Sequence, residues 1–199
     1  LVLAAGAVQT PRLLLANHSQ RYHKAQANGS GQVGRNFMET LSWNSTGLVP
    51  GLTQSHVGLQ SDAISWDFNA PDAIPSVIGG CRFNSSTQES GFTGPIAYAS
   101  RVVSGFGKQL KDGVRASFGS ALSVGAIGAF LPNEGTFVQL DLQKKDRFGM
   151  PLPRLHSHLS HLEIERLKFM ASQSRRLLKE AGAIETSCPL SILPLIEPP

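Results

Sequence analysis

The first fifteen residues constrain the fold more than any other stretch of the chain. Residues 1–5 are apolar or small, Gly6 follows, and a leucine-rich segment begins after Thr10 and Pro11. This order predicts a buried strand over Leu1–Ala5, a turn at Gly6, and a helix with Thr10 as N-cap and Pro11 at its first position. Such a unit is typical of an α/β sheet, whose strands carry ligands at their carboxyl ends. An ordinary packing corner is the alternative.

Composition points to an ordinary folded protein. The 199 residues are 41% hydrophobic and 16% charged, enough for one sizeable core and too apolar for disorder. No apolar run approaches the roughly 18 residues of a membrane span. The net charge of +4 is scattered along the chain. Its densest cluster, residues 144–147, is interpreted as a solvated turn rather than a nucleic-acid surface. Because the chain begins in mid-strand without Met, we expect it to be a piece of a longer protein.

The remaining pattern predicts mostly β structure. A capping box of Ser160 and Glu163 starts the clearest helix, which Gly182 ends, and a second amphipathic helix is expected over 106–118. The order strand–helix, then strands with one or two helices, is α+β. The predicted strands are Leu41–Leu48, Asp62–Phe68, Ile74–Phe83, Ala121–Phe130, Phe137–Leu142 and Leu152–His158, the last two forming a hairpin.

Three short motifs have ordinary explanations. The G-x-G-x-x-G match over residues 29–34 follows a polar stretch and opens no predicted helix, so it is interpreted as a loop. His156, His158 and His161 have a spacing that could hold a metal, but a rim of polar histidines is favoured. Cys81 and Cys188 are expected to be free thiols, which excludes a thiolate zinc site.

Four ordered blocks resemble the glucose–methanol–choline (GMC) family of flavin oxidoreductases. The block Ala4–Leu15 resembles the second signature of that family, and Ser30–Glu39 resembles the segment that follows it. The hairpin region Leu131–Pro151 resembles part of the family's substrate domain. A capped helix like that of residues 160–182 stands at the same place in the family. The bacterial sugar or polyol dehydrogenase branch is the expected subgroup.

The resemblance implies an enzyme that oxidises the CH–OH group of an alcohol, sugar or polyol with FAD. A base takes the hydroxyl proton, and the carbon-bound hydrogen leaves as hydride to the flavin N5. Residues 1–32 would end the FAD-binding domain, and 33–199 would form the substrate-binding domain, with an antiparallel sheet of about five or six strands. Helices would cover one sheet face, and the other would look toward the flavin and substrate. The implied cofactor contacts are Ala5, Gly6, Thr10, Pro11, Gly34, Arg35 and Asn36.

The departures from the family are as informative as the matches. The family's N-terminal ADP-binding unit and its C-terminal segment with the catalytic His have no counterpart here, so no catalytic residue is assigned. Thr40 stands where many relatives have His. We therefore expect that the chain alone neither holds FAD tightly nor turns over. Two rival hypotheses are a non-catalytic β-rich binding module and an inactive truncated gene product; a longer reading frame with a G-x-G-x-x-G unit would favour the enzyme.

Overall fold

The computed structural model describes residues 2–19, 23, 25, 27–57, 61, 63–86, 103 and 105–187. Within it the chain forms two compact units, each assembled from two separate segments. The first unit comprises Leu1–Glu39 and Leu131–Ser160, and the second comprises Thr40–Phe130 and His161–Pro199. The domain division at residue 32 stays a prediction. The predicted Pro-rich tail and Cys188 lie outside the described residues.

The second unit is built on a five-stranded antiparallel sheet. Its strands, in spatial order, are β2 (Ile64–Ser65), β3 (Cys81–Ser86), β4 (Ala121–Gly128), β1 (Leu41–Leu48) and β7 (Glu185–Ser187). Strand β4 is central and pairs with both β1 and β3, so that Gly128 lies opposite both Leu41 and Cys81. The predicted α+β class and antiparallel sheet are confirmed.

One long helix, α3 (His161–Glu180), covers one face of this sheet. A Cβ at Gly128 would come within 2.8 Å of the Met170 sulfur, so the helix lies on the sheet face that carries Gly128. Leu41, Trp43 and Phe83 share that face by register and are buried with it. The helix ends at Glu180, and the predicted stop residue Gly182 follows it with a positive φ of 85° and donates its N–H to the Lys179 carbonyl.

The second predicted helix forms but does not back the sheet. Helix α2 (Gly107–Ser117) lies within the expected range, and Gly119 follows it with a φ of 89°. None of its residues is buried, and Phe106 just before it is exposed. The expectation that two helices cover one sheet face is therefore wrong for α2: its apolar stripe lacks a covering layer among the described residues.

Two predicted strands are much shorter in the structure. The strand expected over Asp62–Phe68 is reduced to Ile64–Ser65, and the one expected over Ile74–Phe83 is shifted to Cys81–Ser86. The intervening chain forms turns, with the Gly79 N–H donating to the Pro71 carbonyl. Pro71 and Pro75 have no N–H for a ladder, which explains why alternation of apolar residues failed as a strand signal there.

The first unit combines helix α1 (Gly6–Ala16) with the hairpin of β5 (Phe137–Lys145) and β6 (Pro151–His156). The hairpin is confirmed. The buried strand expected over Leu1–Ala5 is wrong: residues 2–5 lie outside any strand and are exposed, Val2 to 86%. No described strand lies beside them, and an extended segment without a partner cannot form a ladder. None of the described helices is long and apolar enough to cross a membrane.

Candidate functional site

The start of α1 exposes main chain, although the helix begins earlier than expected. Its N-cap is Ala5, so Thr10 and Pro11 lie inside the helix, and their expected positions at its start are wrong. The Thr10 hydroxyl reaches back to accept the Ala5 N–H at 3.2 Å instead of capping a later turn. Gly6 has a φ of 79°, and apart from its own neighbours and helix backbone no atom of the described residues lies within 4 Å of where its Cβ would be. A flat ligand can therefore approach the backbone here.

Arg12 ties this helix to the tip of the hairpin, a role that sequence reasoning missed. Its Nε donates to the Pro151 carbonyl at 2.7 Å, and its Nη2 donates to Asp146 Oδ2 at 2.7 Å and to the Met150 carbonyl at 3.3 Å. The two side chains are mostly buried. Charge-assisted hydrogen bonds of this geometry are stronger than neutral ones, so α1 is held at a fixed place on the turn.

Asp146 organises the hairpin turn as well as the ion pair. Its Oδ1 accepts the N–H groups of Phe148 at 2.8 Å and Met150 at 3.0 Å. The hydrogen bond from Arg12 is the main cause that holds the pKa of the Asp146 carboxyl below its ordinary range, with the two backbone bonds helping and partial burial opposing. The side chain is therefore a carboxylate throughout the neutral range.

A turn before β1 brings together the remaining predicted cofactor residues. Gly34 has a φ of 82°, and its carbonyl accepts the Val138 N–H at 2.7 Å. A Cβ at Gly34 would overlap the Val138 carbonyl oxygen, so only glycine allows this approach. Asn36 also lies in the left-handed region, at a φ of 52°. No helix follows the G-x-G-x-x-G match at 29–34, and its interpretation as a loop is confirmed.

Arg35 and Asn36 line one polar cavity of about 490 Å³ together with Gln32 and Glu134. Among the described residues, the side chains of Gln32, Asn36 and Glu134 make no hydrogen bond or ion pair. The cavity therefore offers a cation, a carboxylate and two amides to a ligand. Gly34, Ala5, Gly6, Thr10 and Pro11 do not line it, so the structure brings together only two of the seven predicted cofactor residues.

An aromatic stack fixes Arg35 from beneath. Its guanidinium carbon lies 4.7 Å from the Phe137 ring centroid, and the His156 ring stacks on Phe137 at 4.3 Å. His156 Nε2 in turn lies 2.8 Å from the Gln139 side-chain nitrogen. The three histidines have separate partners, since His158 bonds Thr136 through its backbone and His161 lies 3.7 Å from Glu165. No metal-binding cluster occurs in the described part of the chain.

The sheet face away from α3 is a second candidate surface, lined by polar side chains. By register it carries Asn44, Thr46, Asn84, Ser86 and Ser123. The Thr46 and Ser123 hydroxyls bond at 2.7 Å. Asn44 Oδ1 and Ser86 Oγ are buried and have no hydrogen-bond partner among the described residues. Buried polar atoms are nearly always paired, so this face has unmet capacity for a polar ligand.

The opposite face holds a buried charged cluster with a structural role. Arg166 is fully buried and donates to the carbonyls of Gly79 at 3.1 Å and Ala129 at 2.5 Å, and to that of Ile78. Glu163, expected only as a helix cap, lies 3.7 Å from it. Burial lowers the pKa of Arg166, and the Glu163 charge opposes this. An apolar stripe at helical spacing does not indicate a buried arginine, so the buried position of Arg166 is not predicted from the sequence.

Comparison with known proteins gives one distant relative. The chain is 25% identical over 191 residues to a 2-methyl-1,2-propanediol dehydrogenase of Mycolicibacterium austroafricanum, and the match covers 94% of the chain. The chain spans about a third, 34%, of that protein's length. No protein-family profile matches the chain. Membership of the GMC family stays a prediction, while the similarity to part of a dehydrogenase extends over both structural units.

Proposed function

We propose that this chain is part of an FAD-dependent oxidoreductase of the GMC type that oxidises the CH–OH group of an alcohol, sugar or polyol. One observation carries the proposal. Arg35 and Asn36, singled out by resemblance alone, line the same polar cavity, and the side chains of Gln32, Asn36 and Glu134 make no hydrogen bond or ion pair with the described protein. The distant similarity to a dehydrogenase supports the oxidoreductase class independently of that cavity.

The residues present fit a flavin nucleotide. Gly6 leaves open space at the start of α1, and the first-turn N–H groups of a helix have no intrahelical acceptor, which suits phosphate oxygens. Gln32, Arg35 and Asn36 offer donors to the polar groups of a flavin. FAD, when bound, supplies the hydride acceptor. The contribution of this chain is to bind and orient, and no described residue is assigned as the base that takes the hydroxyl proton.

The polar sheet face is suited to the substrate. Asn44 Oδ1 accepts no hydrogen bond from the described part of the chain, and an alcohol O–H can supply one. The Ser86 hydroxyl can either donate to or accept from a second hydroxyl. Each of these atoms can pair with a hydroxyl group of a ligand, and the relative is named for a small diol. Small diols and sugars are therefore the first substrates to test.

Binding is tested by titrating the ¹⁵N-labelled chain with FAD and following its amide resonances. Weak binding still moves resonances, so this measurement does not require tight association. We expect shifts at residues 5–6 and 34–36. Gly6→Ala fills the open space and weakens the interaction. Gly182→Ala is the matched control, since Gly182 also has a positive φ, 85°, with no atom near its Cβ position.

Two outcomes refute the proposal. Absence of amide shifts at residues 5–6 and 34–36 at millimolar FAD would show that this chain does not bind the flavin nucleotide there. Shifts confined to the polar sheet face on addition of a polyol would then favour the non-catalytic binding module. Turnover is tested separately on the intact protein of the full reading frame, with 2-methyl-1,2-propanediol and sugars as donors and a dye as electron acceptor. Lack of bound flavin and of dye reduction there would exclude the oxidoreductase.

A further inference from the structure

A second cavity in the first unit lies between α1, the 28–35 loop and β5, and we call it the α1–β5 cavity. It measures about 310 Å³, the lower end of the range for small-molecule sites. Its apolar lining includes Leu15, Val33, Leu140 and Leu142. Arg35 lines it as well, so this arginine borders both cavities. The cavity thus combines an apolar side with polar groups, namely the guanidinium of Arg35 and the side chains of His18, Asn28 and Gln139.

The charge of Arg35 has no counterion within the described part of the chain. None of its nitrogens lies within 4.0 Å of a described carboxylate oxygen. Phe137 supports the guanidinium from below, and the positive-φ residues Gly34 and Asn36 on either side fix its backbone. A cation held in place beside apolar surface binds an anion at low entropic cost.

The mouth of the cavity presents an apolar side chain at a bulge of strand β5. Leu142 is 73% exposed although it is a large aliphatic residue. It lies where the β5–β6 register shifts between Asp141 and Lys145, and Asp141 Oδ1 holds this bulge by accepting the N–H groups of Gln143 and Lys144. A ligand chain that covers Leu142 gains the favourable free energy of removing apolar surface from water.

We propose that the α1–β5 cavity binds a small aliphatic monocarboxylate, with its carboxylate on Arg35 and its hydrocarbon chain along Leu15, Leu140 and Leu142. The charge requires an anionic head, and the apolar lining requires a tail. The volume limits that tail to a short chain. This inference does not depend on flavin binding, since every residue it uses lies in the first unit and the ligand is tested without FAD.

The experiment titrates the ¹⁵N-labelled chain with octanoate, with 1-octanol and acetate as the ligands that lack the charge or the tail. We expect octanoate to shift the amide resonances of residues 33–35 and 138–142 and to bind more tightly than either control. Arg35→Gln should raise the octanoate dissociation constant about tenfold or more. Arg154→Gln removes an exposed charge on β6 that does not line the cavity, and it should leave the constant unchanged.

Leu142→Asn is a second variant, and it should leave the stability of the fold nearly unchanged because the side chain that it replaces is already exposed. It should weaken octanoate severalfold and leave acetate unaffected. Equal affinity for octanoate and 1-octanol would overturn the role of the charge. Equal affinity for octanoate and acetate would overturn the role of the tail. No shift at residues 33–35 and 138–142 in the wild-type chain at millimolar octanoate would overturn the site itself.

Discussion

Substitution of Gly34 by alanine tests whether the close approach between the 33–36 turn and β5 builds the first unit. At a φ of 82°, any residue with a Cβ costs about 1–2 kcal/mol. The new Cβ would also overlap the Val138 carbonyl oxygen, with the carbonyl carbon 3.3 Å away. Backbone cannot swing aside as a side-chain end can, so overpacking adds about 1–3 kcal/mol. We expect Gly34→Ala to destabilise by about 2–5 kcal/mol.

Gly31→Ala separates the two contributions. Gly31 has a φ of 74°, but no atom of the described residues lies within 4 Å of its Cβ position, so only the backbone cost of about 1–2 kcal/mol applies. Both tryptophans, Trp43 and Trp66, belong to the second unit, so their fluorescence does not report on this change. Hydrogen exchange of the Val138 amide, which donates to Gly34, does.

Urea unfolding followed by circular dichroism supplies the free energy of unfolding for the same variants. Gly34→Ala should speed Val138 exchange well beyond Gly31→Ala, by about tenfold for each 1.4 kcal/mol of difference. Val124 in β4 should stay protected in both variants, because its ladder lies in the second unit. Equal effects of the two substitutions on Val138 would refute the close-approach argument.

Three other residue groups give expected outcomes. The hydrogen bond from Arg12 lowers the pKa of Asp146, so the ion pair stabilises the fold fully above the ordinary carboxyl pKa of about 3.9, and this stabilisation is lost as pH falls through the lower folded-state pKa. Asp146→Asn should therefore reduce the loss of unfolding free energy at acid pH, measured by urea unfolding at several pH values. An unchanged acid dependence would contradict this prediction. Arg166→Met leaves the Glu163 carboxyl buried without its arginine and should lower the free energy of unfolding by about 3–5 kcal/mol. The double variant with Glu163→Gln should lose less than the sum of the two single variants, and strict additivity in urea unfolding would argue against coupling between the two residues. Burial raises the pKa of the Cys81 thiol to about 11 despite the nearby Arg166. The thiol should therefore react with an alkylating reagent at neutral pH only as fast as the protein unfolds. Rapid labelling of the Cys81 peptide, followed by mass spectrometry, would count against this prediction.

The elements that could be predicted are those whose signals are local. Strand β1 has its predicted bounds because its apolar residues alternate between turn residues. Helix α3 was predicted from its cap and stop residues, and the hairpin from the turn residues between two alternating runs. Each signal lies within about twenty residues and needs no distant partner.

The failures share a physical cause, because in each a distant group decides the outcome. Residues 2–5 have strand character but no adjacent strand in the described structure. Thr10 and Pro11 look like a helix start, yet the helix begins at Gly6 and the Thr10 hydroxyl bonds back to Ala5. The sequence gives no local sign that Arg166 is buried, because a buried arginine needs acceptors and those of Arg166 are separated from it by tens of residues.

The candidate site depends on such distant partners more than the fold does. Arg12 lies inside the predicted signature, yet its role is visible only once Asp146, 134 positions later, is beside it. This bond fixes the helix whose exposed start carries Gly6. Arg35 likewise becomes a candidate ligand group only because Phe137 supports it and no described carboxylate pairs with it. Resemblance can therefore indicate which residues approach a ligand. Contacts with the hairpin determine whether those residues are held in place and whether the charge of Arg35 is available to a ligand. A variant that loosens the hairpin, such as Asp146→Asn, should consequently weaken ligand binding at Arg35 less than removal of Arg35 itself, since it removes support and leaves the charge.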